Sequence, residues 1–328
     1  MIKEQENMPF FSIGIPVYNA AQHLINTIKS IQMQNYINFE VICIDDGSTD
    51  DSFQILQHLR KVDARIKVFQ NEVNKGIAFT RKRISNKARG KYFLWVDADD
   101  EMLPSCLQNL YSFYCDAKNE NVILIQNADI YYNNKNHILY SFQDGYRDTY
   151  DIRLKMMLSN GIKSYPWTIV GKTSFFSSVR YPDNPQKYVD DQLISYRYLD
   201  NAESVYFMNK IHYRHILYDM SDSHSPLFYK RLFETYLLLS KEDNDLNEIV
   251  SASLEQMAYL NIGLYYAKTF KKTKDVANRI NFCNMIKERR HSTRLRANLL
   301  GRKEKIQYYW MIFFPSLFFE YYSRREML

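Results

Sequence analysis

The stretch YFLWVDADDEMLP, residues 92 to 104, runs an apolar segment into four carboxylates within five positions: Asp97, Asp99, Asp100 and Glu101. Like charges this close raise one another's pKa and repel unless a cation or solvent answers them. Two readings are open at this point. One is a solvated turn ahead of a helix, because Asp favours turns and Pro104 suits a first helical position. The other is a metal site, because oxygen ligands in an Asp-x-Asp arrangement suit a hard cation such as Mg²⁺ or Mn²⁺. A second acidic group lies upstream in VICIDDGSTDDS, where Asp45 and Asp46 close a buried strand and Gly47 permits a tight turn. Ser48, Thr49 or Asp50 then serves as a helix cap. Strand, turn and cap account for Gly47 without requiring two consecutive carboxylates. A carboxylate at the ligand end of a sheet accepts from a base N–H or a ribose hydroxyl.

Both groups need a scaffold that puts them on one edge, and the first 130 residues supply its pattern. FFSIGIPVY, FEVICID, RIKVFQN and KYFLWVD read as strands, separated by the helical AAQHLINTIKSIQMQ, DSFQILQHLRKV and IAFTRKRISNKA. A helix after Pro104 leads to a further strand, NVILIQNADIYY. Such alternation predicts an α/β domain with a mostly parallel sheet covered by helices on both faces, which binds ligands beyond the C-terminal ends of its strands. The polar clusters PVYN, DDGSTDDS and DADDE fall at those ends. Farther on, YDIRLKMMLSNG reads as helical, PWTIVGKTSFF as extended and VDDQLISYRYL as helical. Past the polar break DMSDSHSP the pattern is almost wholly helical, which predicts a domain over 1–224 and a helical C-terminal region over 225–328.

Composition narrows the function classes. The 328 residues are 46% hydrophobic and 24% charged, as in a globular protein able to bury a sizeable core. Four cysteines without a CxxC pair read as reduced core residues, and the first residues lack the apolar core of a signal peptide, so the expectation is cytoplasmic. The first turn, PVYNAAQH, has no glycine, which argues against a dinucleotide-binding Gly-rich turn, and no GxxxxGK[ST] loop is present. A nucleotide bound without a phosphate-cradling loop needs another positive charge for its diphosphate, and a metal at DADD would supply it.

Taken in order, SIGIPVYN, VICIDDGSTDDS, NKGIAFTRKRISNKARGKYFLWVDADD and YVDDQ resemble the successive motifs of family 2 glycosyltransferases, across roughly residues 10 to 200. The resemblance implies an inverting enzyme with the Rossmann-like GT-A fold. It implies a nucleoside diphosphate sugar, expected to be a UDP-hexose, as donor and a glycan or lipid-linked glycan hydroxyl as acceptor. By the same resemblance Pro16, Tyr18 and Asn19 approach the nucleotide, Asp46 reads the base, Asn74 and Gly76 shape a turn, and Arg81 sits near the diphosphate. The family's Asp-x-Asp falls on Asp97, Ala98 and Asp99, with Asp99 the more direct ligand of Mn²⁺ or Mg²⁺ and Asp97 beside it. Asp100 and Glu101 are then expected to be solvated or helix-capping companions.

Inverting transfer needs a carboxylate to take the acceptor's proton. The family uses a Glu-Asp pair at a helix start, and this chain carries Asp190-Asp191, which places the base on Asp191. A helix N-terminus also favours carboxylates by its dipole alone. Trp167 is expected in the core. His212, His215, His224 and Arg214 are weaker candidates for phosphate contact. A haloacid-dehalogenase-like phosphatase is an alternative, although its Asp-bearing strand usually comes first; a non-catalytic glycan-binding protein of the same fold is another.

From Lys271 to Lys305 twelve Lys or Arg stand against three acidic residues, a local +9 within a chain of net charge +6. The aromatic YYWMIFFPSLFFEYY, residues 308 to 322, follows, too short to span a bilayer, which takes about 20 apolar residues. Packing against the chain, a homodimer contact and peripheral attachment to the inner face of the membrane are its three readings, with no nucleic acid expected.

Overall fold

The computed structural model describes residues 8–117, 119–157, 162–181, 184, 187–217, 226–242, 248–292 and 302–324. In chain order the first elements are β1 (Phe11–Val17), α1 (Leu24–Gln32), β2 (Phe39–Asp45), α2 (Ser52–Val62), β3 (Ile66–Gln70), α3 (Ile77–Lys87), β4 (Tyr92–Trp95), β5 (Glu101–Met102) and α4 (Cys106–Asp116). Then come β6 (Val122–Tyr132), β7 (Lys135–Ile138), β8 (Gly145–Arg147), α5 (Thr149–Met157), β9 (Ile169–Lys172), α6 (Thr173–Ser177), α7 (Asp190–Tyr198) and β10 (Ser204–Ile216). The C-terminal helices are α8 (Pro226–Glu242), α9 (Glu248–Thr273), α10 (Val276–Ser292), α11 (Arg302–Phe313) and α12 (Pro315–Arg324).

One sheet runs in the order β3-β2-β1-β4-β9-β6-β10-β5, with β7 paired to β6 and β8 to β10. The half from β3 to β4 is parallel throughout. Every residue of β1 and β2 is buried, so these strands read as near-continuous apolar runs. Beyond β4 the sheet becomes mixed, because the short β9 lies antiparallel to both β4 and β6. The expected extension over PWTIVGKTSFF is confined to β9: Pro166–Thr168 form a single 3₁₀ turn and α6 follows.

The chain divides into two compact units. The first comprises Met1–Arg153, Tyr165–Gln186 and Ile194–Asp219; the second comprises Leu154–Ser164, Lys187–Leu193 and Met220–Leu328. The sheet belongs to the first. Its core is centred on Trp95, which is fully buried, donates from Nε1 to the Tyr198 hydroxyl at 3.0 Å and meets the Phe93 ring edge-on at 4.6 Å.

In the second unit α9 packs against α8, α10, α11 and α12. The aromatic tail folds as α11 and α12 and divides its rings. Tyr308, Phe318 and Phe319 are buried, with Phe282 of α10 parallel to Phe318 and 5.0 Å from Phe319, while Phe313, Phe314 and Leu317 are exposed. The cysteines divide as well: Cys43 and Cys106 are buried as expected, but Cys115 and Cys283 are exposed, which corrects the all-core reading. Among the described residues no helix is long and apolar enough to cross a membrane.

Candidate active site

The loops after β1, β2 and β3 are tied together by their own polar side chains. Asn19, held at φ 49°, donates from its backbone to Ser48 Oγ at 2.9 Å and accepts at Oδ1 from the Thr49 backbone at 2.8 Å. Pro16 lies within β1 beside Ile44, and Tyr18 projects to solvent, 49% exposed. Gly47, at φ 70°, is packed so closely that an added Cβ would sit 2.7 Å from the Asn74 nitrogen and the Val73 carbonyl carbon. Any larger residue would push the β2 turn and the 73–76 loop apart.

Asp46 is buried where those loops meet. Its Oδ1 accepts from Asn71 Nδ2 at 2.7 Å and the Lys75 backbone at 2.9 Å, and its Oδ2 from the Gly76 backbone at 2.8 Å. Three of roughly four carboxylate acceptor sites are filled, leaving room for one further donor. Asn74 Oδ1 also accepts from Gly76 N–H, at 2.9 Å, and Gly76 takes φ 88° ahead of α3, so these two residues shape the turn. Arg83 braces Asn71 through Oδ1 at 2.5 Å.

A different electrostatic state prevails at the end of β4. Asp97, Ala98, Asp99 and Asp100 form a turn buttressed by α1, whose Thr27 hydroxyl donates to the Ala98 carbonyl at 2.9 Å and whose Ser30 hydroxyl accepts from Met102 N–H at 3.0 Å. Arg81 belongs to this turn rather than to a solvated helix face: it is 2% exposed, its Nη2 lies 3.5 Å from Asp97 Oδ1, and its guanidinium carbon is 5.8 Å from the Trp95 ring. Asp99 is half-buried. Burial first, then the charge of Asp100, raises its pKa, against opposing pulls from His215 and His23.

Asp100 departs from expectation. It is neither solvated nor a helix cap but fully buried, accepting from Tyr213 Oη at 2.7 Å, Ile216 N–H at 2.9 Å and His215 Nδ1 at 3.0 Å. Burial raises its pKa despite these donors. Burial by itself would lower His215, but the bond to Asp100 and the charges of Asp100, Asp97 and Asp99 outweigh that and raise it. Tyr213 Oη also accepts from Asp97 N–H at 3.0 Å, so one hydroxyl joins both sides of the turn. Trp167 stacks on Tyr213 at 4.6 Å with an 8° interplanar angle and is 2% exposed, a core residue behind the site.

The remaining companions also have structural partners. Glu101 lies in β5, 3.6 Å from Arg214, which is held more closely by Asp129 at 3.0 Å. Helix α4 begins at Cys106, after Ser105 at φ 64°, so Pro104 is not its first residue. His212 is buried, with Nε2 against Asn109 Nδ2 at 3.1 Å; burial and then Lys210 push its pKa down to about 4. His224 lies outside the described residues. Asp190 and Asp191 open α7 and belong to the second unit, where the adjacent Val189 N–H donates to Thr235 Oγ1 at 2.9 Å.

The first unit thus brings Arg81, Asp97, Ala98 and Asp99 to one strand end and Asn19, Asp46, Asn74 and Gly76 to a joined set of loops. Asn71, Tyr213 and Asp100 are supporting residues that sequence reasoning missed. For a cation, hard carboxylate oxygens on the same short turn are a fitting donor set. Among the described residues no group of three or more His, Cys, Asp or Glu is arranged to hold a metal. Asp97 and Asp99 are the residues here that would hold such a cation, with further positions open to water or substrate oxygens, as Mg²⁺ commonly has.

An α/β sheet with a carboxylate turn at the ligand end of its fourth strand is the arrangement expected for a GT-A fold. Residues 12–182, just over half of the chain, match the model of glycosyl transferase family 2, and the chain belongs to that family. Among its relatives are an uncharacterized glycosyltransferase of Haemophilus influenzae, 41% identical over 33% of this chain and 43% of its own length, and the minor teichoic acid biosynthesis protein GgaA of Bacillus subtilis, 27% identical over 81% of this chain and 62% of its own. The chain thus spans less than two thirds of either relative. The crystal structure of Staphylococcus aureus TarS residues 1–349 in complex with UDP-GlcNAc superposes with a TM-score of 0.69 at 19% identity, over 95% of this chain and 89% of that one, a likeness of fold.

Proposed function

We propose that this protein is a metal-dependent inverting glycosyltransferase that moves a hexose from a UDP-sugar to a hydroxyl of a glycan or lipid-linked glycan, in the synthesis of a bacterial surface polysaccharide. The observation that carries the reading is the Asp97–Asp99 turn at the end of β4, where burial and then the charge of Asp100 raise the Asp99 pKa, and where Asp97 stands 3.5 Å from the buried Arg81. GgaA's role in teichoic acid synthesis and the UDP-GlcNAc bound by TarS support the donor and pathway class.

In this reading residues 1–224 carry donor binding and residues 225–328 form a helical region for attachment or assembly. Pro16, Tyr18 and Asn19 line the nucleotide's approach, and Asp46 offers its remaining acceptor capacity to a base N–H. Asp97 and Asp99 hold Mn²⁺ or Mg²⁺, which when bound screens the diphosphate's charge. Arg81 adds a fixed positive charge beside it. Asp191 accepts the proton of the acceptor hydroxyl as its oxygen bonds to the anomeric carbon; the bond from that carbon to the diphosphate oxygen breaks on the opposite face, and the nucleoside diphosphate departs. The basic and aromatic C-terminal residues bring the protein to the inner face of the cell membrane, near lipid-linked acceptors.

Thermal-shift titration with UDP, GDP, dTDP and CMP sugars, with and without Mn²⁺, tests the scheme. Stabilisation by a UDP-sugar that requires metal and disappears in Asp99→Ala is expected. Metal-independent binding would remove the central element. A phosphatase has little support, because the Asp-bearing strand is the fourth of the sheet and the chain belongs to family 2.

A further inference from the structure

The transfer reaction leaves the basic C-terminal segment and its exposed rings unused. Between α10 and α12 lies a cleft of about 190 Å³, wholly within the second unit. Its floor is apolar, made by the buried Phe282, Ile286 and Phe319. Its rim carries Arg279, Lys287 and the exposed thiol of Cys283. Glu320 lies 3.9 Å from Arg279 but is engaged more closely by Arg324 at 2.7 Å, and a long ion pair at an exposed site neutralises little. Lys287 has no ion pair among the described residues. Pro315 and Ser316 close one end of the cleft, and the neighbouring Phe313, Phe314 and Leu317 are 54%, 59% and 62% exposed.

An apolar floor beneath two cations, next to three bare hydrophobic side chains, matches a ligand that is itself an anion joined to a hydrocarbon. We propose that the α10–α12 cleft binds the headgroup of an acidic phospholipid, its phosphate over Arg279 and Lys287 and its first methylenes on Phe282, Ile286 and Phe319, while Phe313, Phe314 and Leu317 enter the acyl boundary beside it. This rests on the membrane contact proposed above and gives it a defined site. Stable interfacial attachment generally combines buried apolar area with attraction to anionic lipid, and both are present here. A second copy of the chain is a poorer occupant, because pairing this face with itself would set Arg279 and Lys287 against the same two cations of the other copy.

Cys283 makes the cleft directly readable. The full chain is mixed with vesicles of phosphatidylglycerol and phosphatidylcholine, pelleted, and pulsed with N-ethylmaleimide; alkylation is then mapped by mass spectrometry, with the exposed Cys115 as internal reference. Pelleting and a slowing of Cys283 alkylation by about fivefold or more, with Cys115 unchanged, are expected, since thiol reactivity depends on access. Phosphatidylcholine vesicles should give neither effect, and the Arg279→Glu/Lys287→Glu variant should lose the protection. Pelleting without protection overturns the cleft and leaves membrane contact standing; absence of pelleting overturns both. Protection by inorganic phosphate alone overturns the lipid assignment. Protection that grows with protein concentration in the absence of vesicles overturns it in favour of a second copy.

Discussion

Two acidic pairs lie at strand ends of the same sheet, and they are stabilised in opposite ways. Asp46 is surrounded by donors, with Asn71, Lys75 and Gly76 all giving N–H groups to its carboxylate. At the end of β4, burial and then the charge of Asp100 raise the pKa of Asp99. A carboxylate that already accepts from three N–H groups holds loops together. One that is partly buried beside a like charge, as Asp99 is, has its charged form disfavoured, which a bound cation would offset. The residue type is the same and both lie past strand ends; the donors around each carboxylate separate the two.

The sharpest way to break this contrast is to remove each carboxylate in turn. Asp99→Ala should lower the transfer rate about a thousandfold in steady-state assays, because metal neutralisation of the leaving diphosphate is worth several kcal/mol. The same variant should melt no lower than the parent in metal-free buffer, since it relieves repulsion. Asp46→Ala should do the reverse in the melt, costing about 3–4 kcal/mol in chemical denaturation by leaving three donors without their acceptor. If both variants melt alike, the distinction falls.

A titration sharpens the comparison from outside both pairs. His212 has a pKa near 4 in the folded chain against 6.5 unfolded, so it contributes stability that is fully present above pH 6.5 and lost as pH falls towards 4. The loss should reach about 3 kcal/mol, at roughly 1.36 kcal/mol per unit. His212→Gln should flatten that part of the stability profile measured by urea unfolding. Slope left between the two pH values then comes from the other shifted groups, among them Asp99, Asp100 and His215, whose raised pKa values act with the opposite sign. The smallest change expected is for Tyr213→Phe, which takes one hydroxyl from between Asp97 N–H and Asp100. About 2 kcal/mol should be lost in a thermal melt, the cost of unsatisfied buried groups. A stability unchanged from the parent would show that the bridge is not holding the turn.

Much of this was readable in advance where the governing interactions are local. The parallel half from β3 to β4 follows from apolar strands and short turns, and Asp97 and Asp99 stand two apart at a strand end. The position of β9 was hidden, because four residues, IVGK, carry no periodicity and take their direction from strands distant in the chain. The burial of Asp100 was hidden for the same reason. Nothing in DADDE distinguishes Asp99 from Asp100; the difference comes from Tyr213, His215 and Ile216, more than 110 residues later. Arg81 likewise looks like a surface charge beside Lys82 and Arg83 until the Trp95 ring and Asp97 are placed against it.

The Tyr213 hydroxyl sets an order of events during synthesis. Asp97 and its partner are separated by 116 positions, and Asp100 and the same tyrosine by 113. At about 5–20 residues per second the ribosome needs on the order of ten seconds to make the intervening chain. Until then the acidic turn has neither its anchoring donors nor a reason to stay buried. Contacts of such long range also slow folding, so this end of the sheet is expected to be the last part of the unit to mature on a nascent chain.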